Sequence, residues 1–189
     1  MKWPAYLFFF VMAIIVANRE IQTEGTGGWA KNLPTWRHQP ADGLIWRVIS
    51  MVMMAGHEVT GYHLYHIGGL LLWFHLPFFF DIKWNWANEF RVISLFIIWS
   101  NTQDFLWFVF NPNFRVFGGF NGTTVPWHQF WGPVPKDYFF ALVFSLGIAC
   151  LGDLPRFNFH FCKELSMVWI SYAIAAISLA AFIPKNWEW

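Results

Sequence analysis

The chain has 189 residues, of which 57% are hydrophobic, 22% aromatic and only 12% charged, with a formal net charge of +1. An ordinary soluble domain carries about 25% charged residues, so too few remain here to coat a soluble surface, and a soluble enzyme or a disordered chain is excluded as a leading reading. The near-zero net charge removes the electrostatic case for a nucleic-acid partner. What remains is an integral membrane protein in contact with the lipid bilayer, one domain by length, with room for about four to six spans of about 20 apolar residues each.

The first span is expected over residues 3–18, ending before Arg19 and Glu20. An apolar run behind Met1-Lys2 also suits a signal peptide; it is read here as a transmembrane helix. Residues 20–42 carry Gly25, Gly27, Gly28, Pro34 and Pro40, which is loop chemistry, and Trp29 and Trp36 suit the headgroup level. Residues 43–56 are apolar, with Arg47 among them. About a dozen residues cannot cross the bilayer core, so this stretch is expected to be an interfacial or half-inserted helix, or to fuse with the next one. Thr60 is a candidate N-cap for a helix over 60–80 that Pro77 kinks.

After a turn rich in Asn and Trp, a helix is expected over 88–111 and Pro112 stops it. Pro112 to Pro135 is a loop. Spans over 136–152 and 164–183 follow, the last rich in Ala and Ser as close packing in lipid prefers. The fold class is therefore all-α: a bundle of about five transmembrane helices with an extra interfacial helix. Cys150 and Cys162 are the only cysteines; they make no disulfide framework and no Cys-rich metal site, and are expected to be packing residues. With five spans, Arg19, Lys31, Arg37, Arg47, Arg115, Lys136 and Lys185 share one side, against Lys2, Lys83, Arg91, Arg156 and Lys163 on the other. The excess places the 19–59 and 112–135 loops in the cytoplasm.

Ionisable residues inside a membrane are functional candidates by default, because burying them is costly. Asp104 lies well inside a predicted span, on a polar face with Ser100, Trp107 and Asn111. The preceding helix carries His63 and His66, one turn apart, and antiparallel pairing about Trp84 sets His63 level with Gln103 and Asp104. The five-span topology delivers Glu20, Glu24 and His128 to the same side. Carboxylates and imidazoles together suit Fe, Zn or Mn. Glu20, His63, Asp104 and His128 are the expected metal ligands, with Glu24 and Asp104 as catalytic groups. Structural alternatives stand beside each: Asp104 pairing with Arg37, Arg115 or His63, the two histidines as packing glue between helices, Glu20 and Glu24 as solvated loop charges. His57 and His75 stand alone and are read as structural. No His-Glu-x-x-His, nucleophile elbow or phosphate loop is present.

Three stretches carry a resemblance. They are Glu20-Ile21-Gln22-Thr23-Glu24-Gly25 leading to Leu33-Pro34-Thr35-Trp36-Arg37; Thr60-Gly61-Tyr62-His63-Leu64-Tyr65; and the run from Asp104 to Pro112 followed by Trp127-His128. Over about residues 15–140 the chain resembles a group of small bacterial multi-span membrane proteins. The resemblance implies a bacterial inner-membrane protein and brings no activity with it. In similar chains a Glu-Asp pair stands where this one has Gln103-Asp104, so a site here is one charge poorer.

Two functions follow as expectations. The first is a metal-dependent membrane enzyme that activates water or oxygen toward a lipophilic substrate. The second is a non-enzymatic accessory subunit of a larger respiratory or photosynthetic complex, packed against other membrane-protein subunits, with His66 or His63 contacting a haem or chlorin.

Overall fold

The computed structural model describes residues 3–25, 28–54, 56–114, 116–154 and 158–183. Lys2, Arg115, Arg156, Lys185 and the tail 184–189, which enter the charge reading above, lie outside them. The described chain is mostly helical. Among the described residues, three helices are long and apolar enough to cross a membrane: α1 (Trp3–Glu24), α5 (Trp86–Phe110) and α8 (His160–Phe182). The expected count of five is not reached on length and composition. The 60–80 segment divides into α3 (Gly61–His75) and α4 (Pro77–Phe80). Its 15 residues make α3 about 22 Å long, short of the ~30 Å hydrocarbon core. Pro77, whose ring cannot continue a helix and which brings no N–H, marks the break. The chain forms two compact units, residues 1–23 with 83–189, and residues 24–82.

In the first unit α5, α7 (Lys136–Asp153) and α8 pack together. α1 runs to Glu24 rather than stopping at Asn18, because Asn18 and Thr23 return their side chains to the carbonyls of Ile14 and Arg19 at 2.8 and 2.9 Å and so stay within the helical ladder. Ala13 and Ala17 are fully buried on α1. The Trp99 indole donates to the Phe9 carbonyl at 2.8 Å, and Tyr172 to the carbonyl of Tyr6 at 2.6 Å, which ties α1 to α5 and α8. α7 is antiparallel to α5: Tyr138 at its start bonds Asp104 late in α5, and Asp153 at its end faces Arg91 early in α5 at 3.5 Å. The helices close up at Gly152, where a Cβ would lie 3.2 Å from both the Ala87 carbonyl oxygen and the Phe90 Cβ.

One expectation is corrected here. Cys150 and Cys162 are not separate packing residues; a disulfide joins them across the α7–α8 turn, with Cα atoms 5.3 Å apart. The turn folds α8 back on α7, and the buried Asp153 accepts the Cys162 N–H at 2.9 Å to fix that geometry. Sequence spacing alone carries no sign of such a closure.

The second unit holds α2 (Leu44–Met53), α3, α4 and a two-stranded antiparallel ribbon, β1 (Arg37–His38) with β2 (Val59–Thr60). Arg37 pairs with Thr60 and His38 with Val59. Thr60 caps α3 as its chemistry predicts, accepting the His63 N–H at 3.1 Å.

Candidate functional site

Glu24 ends α1, and the chain then turns back through Gly28, Trp29 and Ala30, all at positive φ. Positive φ is uncommon for non-glycine residues. Here it aims two groups inward: the Ala30 N–H donates to Glu24 Oε1 at 2.5 Å, and the Trp29 ring stacks on the His63 ring at 4.4 Å. Arg37 holds this turn by donating to the Ala30 carbonyl and to Glu58, while the Trp29 indole donates to the Glu58 carbonyl at 3.3 Å.

His63 comes from the first turn of α3, where little space is left. A Cβ on Gly61 would lie 2.6 Å from Trp36 Nε1 and 2.8 Å from Thr35 Oγ1. Only glycine lets the Thr35 and Trp36 side chains approach the start of α3 so closely. The Tyr62 N–H bonds Thr35 Oγ1 at 2.9 Å. His63 Nδ1 lies 2.8 Å from the Thr60 hydroxyl, and Nε2 lies 3.4 Å from Glu24 Oε1. Both residues are buried, His63 7% and Glu24 6% exposed.

Two proton arrangements satisfy these contacts. In one, Thr60 donates to Nδ1 and Nε2–H points at Glu24. In the other, Nδ1–H donates to Thr60 and the Nε2 lone pair faces a carboxylate oxygen. In the second arrangement two acceptors face each other, and a proton or a metal cation between them relieves it; an Nδ1–H held by a fixed acceptor is the usual support of a metal-bound imidazole. Glu20 stands one turn before Glu24 on the same helix and accepts the Gln103 amide at 2.6 Å. Glu20, Glu24 and His63 make up the described group of such side chains that could hold a metal ion.

Asp104 and His128, expected among the same ligands, belong to a different arrangement. His128 Nδ1 lies 3.0 Å from Asp137 Oδ2, and Nε2 faces Asp104 Oδ2 at 3.5 Å, within ion-pair range but without a regular hydrogen bond. Tyr138 donates to the same Asp104 oxygen. Burial pulls the His128 pKa down, but hydrogen bonding and charge from Asp104 and Asp137 outweigh it and push the pKa up to about 9. Asp104 thus meets His128 and Tyr138, while Arg37, its expected partner, serves Glu58; Arg115 lies outside the described residues. His66 stacks on Tyr62 at 5.6 Å. His57 lies against Trp29, with ring centroids 4.8 Å apart, and His75 Nδ1 bonds the Leu71 carbonyl at 2.7 Å.

Sequence reasoning read Trp29 only as a headgroup-level ring and passed over Asp137 and Tyr138. Asp137 and Tyr138 stand at the start of an apolar helix, where an acidic residue reads as ordinary first-turn chemistry. Nothing periodic marks Trp29, since a left-handed turn places it. No protein-family model, curated protein or solved structure matches the chain.

Proposed function

We propose that this chain is a membrane-embedded, metal-dependent enzyme acting on a lipophilic substrate. Glu24, His63 and Glu20 hold a divalent ion of the Fe, Zn or Mn type. The observation that supports it most is the buried Glu24–His63 pair, with Nδ1 against the Thr60 hydroxyl and Nε2 turned toward a carboxylate. Two carboxylates balance the cation and leave one imidazole as the neutral donor. When bound, the ion would supply Lewis acidity toward water or oxygen; Glu24, whose Oε1 both accepts the Ala30 N–H and faces His63 Nε2, would position it. Asp104 remains the proposed catalytic group of the first unit, where His128 and Tyr138 meet it.

The proposed setting is a bacterial inner membrane with the 19–59 and 112–135 loops cytoplasmic. The Cys150–Cys162 disulfide at the opposite end of α7 supports this orientation, because such bonds persist in oxidising compartments such as the bacterial periplasm.

The test is metal content of protein purified in mild detergent, with an absorption spectrum. Near-stoichiometric iron, zinc or manganese is expected in the wild type. Glu24→Gln and His63→Gln should each lose more than the roughly 10–100-fold in affinity that removing a mere supporting partner of a ligand costs, with melting preserved. A metal-free wild type, or variants that retain metal, overturns the reading. The exposed Trp73, Phe79 and Phe80 on α3 and α4 support the second reading, an accessory subunit packed on other helices or on a pigment. A haem or chlorin band, or a persistent larger complex, would favour it.

A further inference from the structure

α2 turns its apolar side outward. Leu44, Ile45, Val48, Met51 and Val52 are each more than half exposed. At 3.6 residues per turn they fall within about 120° of the helix circumference. The other side is held by protein: Trp46 stacks on His38 with ring centroids 3.8 Å apart, and Ser50 donates to the His57 carbonyl at 2.6 Å. Arg47 is exposed at the flank of the apolar face.

With 10 residues the helix is about 15 Å long, half of what a span needs. A chain with three helices able to cross a bilayer keeps lipid within reach. A short helix with one apolar face, a guanidinium at its edge and a tryptophan anchoring its back fits the plane of the interface, its face sunk ~5–10 Å into the headgroup and acyl boundary.

We infer that α2 docks on the lipid surface as an in-plane helix and sets its whole unit at headgroup depth. The β1–β2 ribbon and the Ser50–His57 bond join α2 to the segment that carries Thr60 and His63. Resting on the metal reading above, the substrate would then be a lipid-like molecule that reacts near its polar end rather than along its acyl chain.

The experiment uses the full chain in nanodiscs, with single nitroxide labels at Val48 and Val52. Collisions with oxygen should exceed those with a water-soluble nickel chelate several-fold, at a shallow depth. The reverse ratio puts the face in water and overturns the docking; low collision with both puts a protein partner or a second copy there and overturns it too. Manganese is then added to protein in nanodiscs holding lipids labelled near the headgroup or deep in the chain. Stronger broadening of the shallow label is expected. Stronger broadening of the deep label overturns the depth assignment and leaves the metal reading standing, whereas protein that neither binds the added manganese nor carries iron or zinc overturns the metal reading and leaves the docking result intact.

Discussion

At the scale of single residues, two positions make opposite demands. Gly61 is a matter of space. Gly61→Ala should destabilise the protein by about 1–3 kcal/mol, as overpacking does, because its Cβ meets the Trp36 and Thr35 side chains below 3 Å; a detergent melt checks this. His128 is a matter of charge. Its pKa, raised from 6.5 to about 9, makes the folded state bind the proton more tightly than the unfolded chain. The stabilisation is therefore full below the unfolded value and disappears as the pH rises through the folded one, at most about 3 kcal/mol in all. Melting temperature should fall between these limits in the wild type and stay flatter in His128→Gln. The Thr60 cap was legible because capping chemistry is local. The contacts of Trp29 with His63 and of Asp137 with His128 were not, because Trp29 reaches its place through positive φ and Asp137 through a loop of no fixed period.

At the scale of elements, hydrophobic runs located the helices but not all of their ends. Arg19 and Glu20 read as the exit from α1, yet the helix runs on to Glu24, with Asn18 and Thr23 bonding back to the preceding turn. The α7–α8 hairpin shows the converse. Its helices were legible as apolar runs, whereas its closure by Cys150 and Cys162 depends on where a turn points two side chains. Replacing both cysteines by serine should lower stability by about 3 kcal/mol, the loss expected on releasing a loop of this size, seen as a lower melting temperature in detergent. Added reductant should reproduce the shift in the wild type and leave the double variant unchanged.

At the scale of the whole molecule, composition separates membrane from water but does not count spans. Three helices meet the length and hydropathy of a crossing, and the 60–80 segment misses it because Pro77 divides what an apolar average treats as continuous. The proposed orientation gives a test at this scale. A cysteine introduced at Asn121 should resist a membrane-impermeant maleimide in right-side-out vesicles and react once they are opened. Reaction in intact vesicles would reverse the orientation.

Thr60, Gly61 and His63 have a consequence for any survey of tolerated mutations. Within four consecutive positions the chain starts a helix, lets a ribbon approach it and orients an imidazole. Loss of Thr60 or Gly61 disturbs folding before it disturbs chemistry, so selection would hold those two fixed in a purely structural protein as firmly as in an enzyme. Glu24 separates the two histories. Asparagine or glutamine there keeps an acceptor for the Ala30 N–H, and a lineage that had abandoned the chemistry would drift to such residues first.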